Sequence, residues 1–339
     1  MRGLMIRIQD IADMAGVSRT TVSNVIRGNT KKVSQETIDK ITKILDEQNY
    51  VPSMVSMGFS GNVSKIIGLV IYREIHGMNA MQDTFVGELL GTIEKEVRKK
   101  GYYLMLISAE TSDEVVSIAS SWNMEGLIVL GYSEQEYLKL KKKLNKKMIL
   151  VDTYPENEYT FQNVGINDYE GGYLVGEYLL ECGYDKALMI AETKMGSDYQ
   201  RWLGFKAAME KNGQICEESR YIIAGKDRFI REGQYVQMIS KFLEAKALAF
   251  SSDFAAIEAM NLFQDMGYVV PDDISIVGFD DNIYATKVYP KLTTVRQNVP
   301  KKARTVVNRL IRMIHGETLP EMCIRNEVEL IKRSSVKEE

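Results

Sequence analysis

Residues 66–278 alternate between short apolar runs and amphipathic segments, and this alternation constrains the fold more than any other feature of the chain. The apolar runs have the length of buried strands, and the segments between them carry apolar residues at helical spacing. The expected strands are 66–71, 102–107, 126–130, 148–151, 187–191, 221–224, 247–250 and 274–278. The expected helices lie near 84–100, 113–122, 134–144, 168–182, 198–212, 231–244 and 254–267. This order predicts an α/β body of parallel sheets covered by helices on both faces.

Roughly 270 residues of this pattern exceed a comfortable single open sheet, so the body is predicted to form two doubly wound parallel-sheet lobes. A ligand in such a fold binds beyond the carboxyl ends of the strands, which between two lobes means the cleft. Polar residues follow several of the expected strands at this edge, namely Asp152, Ser252, Asp253, Asp280 and Asp281.

Residues 8–48 have a different period, which is typical of three short amphipathic helices. Gly16 ends the first helix, Ser18 is the expected N-cap of the second, and the third begins near Ser34. The apolar faces are Ile8, Ile11, Ala12 and Ala15 in the first helix, Val22, Val25 and Ile26 in the second, and Ile38, Ile41 and Leu45 in the third. These residues predict a small all-α head.

The head has the features of a helix-turn-helix motif. Ala12 is a small residue at the helix crossing, Gly16 tolerates positive φ in the turn, and Val22 anchors the second helix. The outer face of the second helix then presents Arg19, Thr20, Ser23 and Asn24 to base edges, with Ser18 and Thr21 suited to phosphates. The alternative is a small helical bundle with a solvated polar face.

Three segments of the chain closely resemble the head of the lactose/galactose repressor (LacI/GalR) family. They are Ile11-Ala-Asp-Met-Ala-Gly-Val-Ser-Arg-Thr-Thr-Val-Ser-Asn-Val-Ile-Arg-Gly, Val33-Ser-Gln-Glu-Thr and Asn49-Tyr-Val-Pro-Ser. The similarity continues through the body. It implies a bacterial transcription regulator, most simply a repressor, whose homodimer binds double-stranded DNA at a pseudo-palindromic operator. Asn24 stands where the family often has Arg, which shifts the expected base preference from guanine toward adenine.

The resemblance also implies a domain plan. Residues 1–49 form the helix-turn-helix domain, 50–64 a hinge, and 65–339 a two-lobed body that resembles type I periplasmic binding proteins. The N-lobe is expected at 65–163 and 293–323, and the C-lobe at 164–292 and 324–339.

Phe59, in the hinge, occupies the position of the leucine that the family wedges into the minor groove when the hinge helix orders on DNA. The alternative for 50–64 is a flexible linker whose Phe59 packs on the body. The predicted DNA-contacting residues are Arg7, Ser18, Arg19, Thr20, Thr21, Ser23, Asn24, Arg27, Ser34 and Phe59.

Candidate effector-binding residues in the body follow from the same resemblance. Arg201, within Tyr199-Gln-Arg-Trp-Leu-Gly-Phe205, matches the effector-binding arginine of the family, and Asp280 matches its ligand-contacting aspartate. An arginine fork facing carboxylates holds several hydroxyls, and aromatic faces cover a sugar ring, so a sugar or sugar phosphate is expected. Without the resemblance, Arg201 reads as an ordinary ion-pair partner and Asp280 as a loop cap. The predicted effector-binding residues are Tyr72, Phe85, Asp152, Arg201, Phe229, Ser252, Asp280 and Gln297.

Two features of the predicted pocket depart from the family pattern. Ser252 stands where the family often has Asn, and the segment 72–85 is longer than the usual loop. Both departures make the identity of the ligand hard to carry over from the family.

Motifs for catalysis are missing from the sequence. Neither a G-x-G-x-x-G after a strand nor a G-x-x-x-x-G-K-[ST] occurs, so dinucleotide and P-loop chemistry lack their phosphate cradles. His76 and His315 have no nucleophile or metal-ligand spacing nearby. Cys182, Cys216 and Cys323 lack the spacing of a metal site or disulfide framework. We therefore predict a protein that is not an enzyme and has no cofactor or metal.

Charge and the amino-terminal segment favour a cytoplasmic regulator over a transport protein. Residues 1–65 carry a formal charge of +3 and the remainder −6, which suggests that only the head meets a polyanion. Arg7 interrupts the apolar stretch that a secretion signal needs, and no apolar run approaches the ~20 residues of a membrane span. A solute-binding protein would need an export signal and would have no use for the head. A sugar-modifying enzyme would need catalytic groups, and the sequence shows no motif that supplies them.

The predicted mechanism links two equilibria. A ligand in the cleft changes lobe closure, and lobe closure changes the spacing of the two heads in the dimer and so their engagement of both half-sites. This mechanism applies equally to a ligand that releases the protein from DNA, an inducer, and to one that promotes DNA binding, a co-repressor.

Overall fold

The structure is a computed structural model that describes residues 6–26, 28–48, 50, 63–72, 74–75, 78–154, 161–211, 213, 215–320 and 322–338. It divides the chain into two units, residues 1–64 and 65–339. Within the described ranges, no helix is both long enough and apolar enough to cross a lipid bilayer.

The helices and strands are numbered here in chain order. The helices are α1 Ile8–Ala15, α2 Arg19–Ile26, α3 Gln35–Glu47, α4 Thr84–Lys99, α5 Ser112–Ser121, α6 Glu134–Lys143, α7 Asp168–Glu181, α8 Gly196–Lys211, α9 Arg228–Ala245, α10 Asp253–Asp265 and α11 Val299–Ile314. The strands are β1 Ile66–Tyr72, β2 Glu74–Ile75, β3 Met78–Asn79, β4 Tyr103–Ala109, β5 Gly126–Leu130, β6 Lys147–Val151, β7 Asn163–Ile166, β8 Leu188–Ala191, β9 Tyr221–Ile223, β10 Ala247–Phe250, β11 Ser275–Asp280, β12 Thr293–Gln297, β13 Cys323–Asn326 and β14 Val328–Ile331. Short 3-10 turns lie at Ala80–Gln82, Glu218–Arg220 and Ile283–Thr286.

Helices α1 to α3 enclose the small apolar core of the first unit. Its fully buried members are Ile11, Ala12, Ala15, Val22 and Ile41, and Val25, Ile26 and Leu45 pack against them. Ile8 is partly buried at the edge of this core. The three helices predicted for the head are therefore present.

The N-lobe sheet has the order β13-β7-β6-β5-β1-β4, and all of its strands are parallel. Helices α4 and α11 cover one face, where Leu89 and Val306 contribute to the core. Helices α5 and α6 cover the other face, where Val115 and Leu140 are buried.

The C-lobe sheet has the order β14-β12-β11-β10-β8-β9, in which only β14 is antiparallel to its neighbour. Helices α7 and α8 bury residues such as Leu179 and Phe205 on one face. Helices α9 and α10 bury Phe242 and Phe263 on the other. The body is thus the predicted pair of doubly wound lobes, with one antiparallel edge strand added.

The chain passes between the lobes at Asn167, Asn298 and Glu327, because β7 and β13 belong to the N-lobe sheet and β12 to the C-lobe sheet. The predicted lobe boundaries, after 163, 292 and 323, are therefore wrong by one strand each. Asn167 and Asn298 accept hydrogen bonds at the starts of α7 and α11. Each crossing lies between a strand and the next element, and the pattern of apolar and polar residues does not distinguish it from a connection within one lobe.

Candidate functional site

The turn between α1 and α2 depends on Gly16, which adopts φ 69° and ψ 32° at the C-terminus of α1. This left-handed conformation favours glycine because it lacks a Cβ atom. The backbone N–H of Val17 donates to the carbonyl oxygen of Ala12 at 3.0 Å and closes the turn. The small side chain of Ala12 is completely buried at this point. The motif therefore has the turn that the sequence predicts.

Ser18 and Ser34 begin α2 and α3 by the same device. The Ser18 Oγ accepts a hydrogen bond from the backbone N–H of Thr21 at 3.1 Å, and the Ser34 Oγ accepts one from Thr37 at 3.3 Å. Both hydroxyls also lie within hydrogen-bond distance of the threonine hydroxyl three residues later. Helix N-termini carry partial positive charge and suit phosphate oxygens, so both caps are placed where an anion is favoured.

The predicted DNA-contacting side chains lie on the surface of the head. Val22 is completely buried, and the outward side of α2 consists of exposed Arg19 and Thr20 with partly buried Thr21, Ser23 and Asn24. Arg7, Ser18 and Ser34 are also exposed. Arg27 and Phe59, and with Phe59 most of the predicted hinge, lie outside the described residues. The described members form a polar face with hydroxyl, amide and guanidinium groups at the start of α2.

In the cleft of the body, one buried lysine gathers several of the predicted effector residues. The side chain of Lys302, in the first turns of α11, is 0% exposed. Its Nζ donates to Asp152 Oδ1 at 2.8 Å, to Asp152 Oδ2 at 2.7 Å and to Gln297 Oε1 at 2.7 Å. Gln297 Nε2 in turn donates to Asp280 Oδ1 at 2.7 Å, and the Lys302 Nζ lies 4.8 Å from the centre of the Phe85 ring. Lys302 therefore contacts Asp152, Gln297 and Phe85 directly and is linked to Asp280 through Gln297.

A second buried ion pair lies in the C-lobe. Arg201 Nε donates to Asp168 Oδ1 at 2.7 Å, and Arg201 Nη1 donates to the carbonyl oxygen of Ser251. The guanidinium lies 3.6 Å from the centre of the Phe279 ring. The Tyr154 hydroxyl donates to Asp168 Oδ2. Burial raises the pKa of Asp168 to about 6, although the neighbouring Arg201 opposes the shift.

Two glycines bring the helices of this ion pair together. A Cβ atom at Gly172 of α7 would lie 1.8 Å from the carbonyl oxygen of Arg201, and one at Gly204 of α8 would lie 1.8 Å from that of Tyr169. No side chain fits at either position, so only glycine permits this close packing of α7 on α8. The packing places Arg201 against Asp168 at the start of α7.

Ser252 and Asp253 serve the start of α10. Ser252 Oγ accepts from the backbone N–H of Ala255 at 3.3 Å. The Asp253 carboxylate accepts from Thr294 Oγ1 at 2.5 Å and from the backbone N–H of Asn282 at 2.8 Å. Burial, together with the nearby carboxylate of Asp280, holds the pKa of Asp253 well above its usual range.

Two adjoining cavities open between the lobes. The smaller, of about 490 Å³, is lined by Phe85 and Glu88 of α4 and by the segment 280–283. The larger, of about 700 Å³, shares Thr84 and Asn282 with it and extends along α9 and α10. Asp152, Asp280 and Asp281 adopt positive φ angles of 52°, 123° and 53° at this cleft. Such strained backbone is concentrated at functional sites in proteins, which agrees with a binding role here.

Phe229 does not join the other predicted residues. It is 82% exposed in the first turn of α9, while its neighbours Arg228 and Arg231 line the larger cavity. One residue along a helix turns the side chain by about 100°, so Phe229 cannot share their face. Phe229 therefore lies apart from the residues around Lys302, and its contact with a sugar ring stays a prediction. Tyr72 ends β1, and its side chain lies outside the described part of the structure.

Sequence reasoning missed Lys302 and Asp168. A signal for Lys302 exists, because it lies three residues after Val299 and four before Val306, within the apolar stripe of α11. A charged residue in such a stripe indicates a buried, paired group. Asp168 had no comparable signal, since an acidic residue in the first turn of a helix is ordinary.

Comparisons with known proteins agree with this architecture. Residues 7–53 match the model of bacterial regulatory proteins of the lacI family, and residues 177–336 match the periplasmic binding protein-like domain. The HTH-type transcriptional repressor PurR of Histophilus somni strain 129Pt is 29% identical over 344 residues, which cover 98% of this chain and 99% of PurR. PurR of Haemophilus influenzae strain PittEE is also 29% identical, with the same coverage of both chains.

Solved structures show the same fold. The lac repressor dimer bound to operator and the anti-inducer ONPF aligns with a TM-score of 0.83 and 22% identity, covering 97% of this chain and 98% of the repressor. The transcriptional regulator CelR in complex with cellobiose aligns with a TM-score of 0.73 and 20% identity, covering 97% and 99% of the two chains. With its lacI-type head, its periplasmic-binding-protein-like body and relatives of equal length, the chain belongs to the LacI/GalR family of bacterial transcriptional regulators.

Proposed function

We propose that this protein is a sequence-specific DNA-binding repressor, acting in the bacterial cytoplasm, whose affinity for its operator is controlled by a sugar or sugar derivative in the interlobe cleft. The observation that carries the proposal is the pairing, in one chain, of a lacI-type head with a polar cleft. The exposed face of α2 supplies groups that hydrogen-bond to bases, while the body supplies a separate pocket. The PurR relatives, which are repressors by name, support the direction of control.

The charges around the smaller cavity favour a neutral polyhydroxyl ligand over a sugar phosphate. Glu88, Asp280 and Asp281 line it with carboxylate oxygens, which accept hydrogen bonds from hydroxyl groups. Burial and the charge of Asp281 raise the pKa of Glu88, as expected where carboxylates are close together. The cations nearby are already paired: Lys302 with Asp152, Arg201 with Asp168, and both Arg296 and Arg333 with Asp281. A phosphate would therefore find no unpaired cation among these residues and would meet the carboxylates of Glu88 and Asp280.

The regulator acts as a homodimer in this proposal, since two heads are needed for the two half-sites of a pseudo-palindrome. The body has apolar surface that suits association. Tyr103 and Leu106, on the sheet-edge strand β4, are 57% and 40% exposed. An edge strand with exposed apolar side chains favours pairing with another surface. Sedimentation velocity on the purified chain should give a dimer at micromolar concentration.

Replacing Arg19 and Thr20 with Ala tests the DNA-binding role. Each good base contact contributes about 1–3 kcal/mol, so the double variant should bind a fragment of its own promoter at least about thirtyfold more weakly in a mobility-shift assay. Lys43→Ala is the matched control, because it removes a positive charge from α3 at a side chain that is 77% exposed. That control should bind within a few-fold of the parent protein.

Equal loss in both variants would show that the charge of the head, and not the face of α2, drives binding. If the parent protein bound no promoter fragment at low ionic strength, the proposed function itself would be wrong.

A further inference from the structure

Lys302 is completely buried, and its ammonium group is saturated. The ammonium has three N–H donors, and the structure places three acceptor oxygens around it at 2.7 to 2.8 Å. The Phe85 ring lies beside it. A buried lysine is rare because desolvation of its charge is costly, and it persists when partners compensate that cost. The site is therefore organised around this one cation.

The acceptors of Lys302 belong to different lobes. Asp152 directly follows β6 of the N-lobe sheet, while Gln297 is the last residue of β12 in the C-lobe sheet. Lys302 lies just beyond Asn298, where the chain crosses between lobes. The side-chain amide of Gln297 in turn donates a hydrogen bond to Asp280, the last residue of β11. One ammonium thus joins the carboxylates of both lobes, directly to Asp152 and through an amide to Asp280.

Of the two carboxylates that are linked in this way, Asp280 lines the smaller cavity and Asp152 is a predicted effector-binding residue. A ligand that donates hydroxyl hydrogens to Asp152 or Asp280 competes with Lys302 or with Gln297 for the same oxygen atoms. Such a ligand alters the balance of contacts on both sides of the crossing, even when it touches one lobe only. A ligand acts on a conformational equilibrium through differences of this kind.

We propose that Lys302 is a positioning residue that couples the two lobes, because it holds Asp152 and the Gln297–Asp280 pair on one buried ammonium. The coupling deepens the proposed effector site, and it rests on the proposed function only for its effect on DNA binding. The claim that one cation orders both carboxylate segments concerns the protein alone, so it can be tested on the full chain without DNA.

Hydrogen exchange of the full chain, measured without DNA or sugar, tests the coupling at defined amides. In the N-lobe, the Asp152 N–H donates to Val164 O at 3.1 Å, and in the C-lobe the Asn282 N–H donates to Asp253 Oδ2 at 2.8 Å. Lys302→Met keeps the length of the side chain and removes the charge. It should speed exchange about tenfold or more in both segments, the factor expected from loss of a hydrogen bond to a charged group.

Two further variants separate coupling from simple destabilisation. Lys301→Met, at the exposed neighbouring position, should leave exchange in both segments unchanged. Gln297→Glu keeps an acceptor for Lys302 but removes the donor to Asp280 and adds a like charge. It should speed exchange at Asn282 and leave that at Asp152 within a few-fold.

The proposal is overturned if Lys302→Met accelerates exchange uniformly across the body, or if Asn282 does not respond. Should Lys302→Met fail to fold, Gln297→Glu decides the matter alone: an unchanged rate at Asn282 rejects the coupling. Neither result depends on operator binding, so a failure here is distinct from a failure in the mobility-shift assay.

Discussion

The head and the body achieve order by contacts of very different reach along the chain. In the head, Ser18 meets Thr21 and Ser34 meets Thr37, each three residues apart. In the cleft, Arg201 meets Asp168 across 33 residues, and Lys302 meets Asp152 across 150. The head is therefore specified by local sequence, whereas the polar groups of the cleft are assembled only when distant elements pack.

In the head, the residues predicted to bind DNA are not the residues that stabilise the fold. In the body, the same cleft residues serve both roles. Arg19 and Thr20 are exposed on α2, so their loss should cost DNA affinity with little change in stability. The cleft residues are buried and paired, and removing one partner leaves an uncompensated charge. Variants of the body therefore have to be measured for both folding and ligand response.

The largest expected effect comes from Arg201→Ala. It leaves the fully buried Asp168 carboxylate without its cation, which should lower the free energy of unfolding by about 3–5 kcal/mol in urea denaturation. Arg228→Ala is the control, since Arg228 pairs with Glu232 on the surface and is 68% exposed. Its cost should stay below about 1 kcal/mol. Similar losses in the two variants would break the contrast between buried and surface pairs.

Asp168 should also make the stability of the body depend on pH. Its ordinary pKa of 3.8 is raised to about 6 in the folded chain, so folding favours the protonated form. The contribution of this group is complete below about pH 4 and is lost as the pH rises through about 6. Relative to Asp168→Asn, the free energy of unfolding of the parent should fall by an amount on the order of 3 kcal/mol between pH 4 and pH 7.

Asp185→Asn, at an exposed position, is the control for this pH effect and should show no such difference. A parent and an Asp168→Asn variant that keep a constant difference across this pH range would rule out the shift.

The smallest expected effect is that of Ser18→Ala on the head. Loss of an N-cap hydroxyl costs about 1 kcal/mol, and here it should lower the stability of residues 6–48 without changing that of the body. Exchange of the α2 amides reports the head separately. Ser23→Ala, on the same helix but not at a cap, should have a smaller effect. Accelerated exchange in the body would contradict the local character of the head.

Much of the body was predictable because its strands are short apolar runs between helices. The strands at 126–130 and 247–250 were predicted with the bounds that the structure has. Six strands, β2, β3, β7, β12, β13 and β14, and helix α11 were missed. β12 has the sequence Thr-Thr-Val-Arg-Gln, and β7 contains Gly165, so neither shows an apolar run. Both are strands because neighbouring strands supply their hydrogen bonds.

The site shows the same division. Asp152 and Asp280 were predicted because parallel strands place their carboxyl-terminal residues at one edge. The contacts of Lys302 with Asp152, Gln297 and Phe85, its link to Asp280 through Gln297, and the exposure of Phe229 came from the packing of α11 and α9.

The sequence by itself determined the helix-turn-helix, the alternating body and the family, because these depend on periodicity and on motifs within about 20 consecutive residues. Only the tertiary structure decided which charges are buried and with whom they pair. Burial of an ionised group requires a compensating partner, and in this chain the partner lies in another element, 33 residues away for Arg201 and 150 for Lys302.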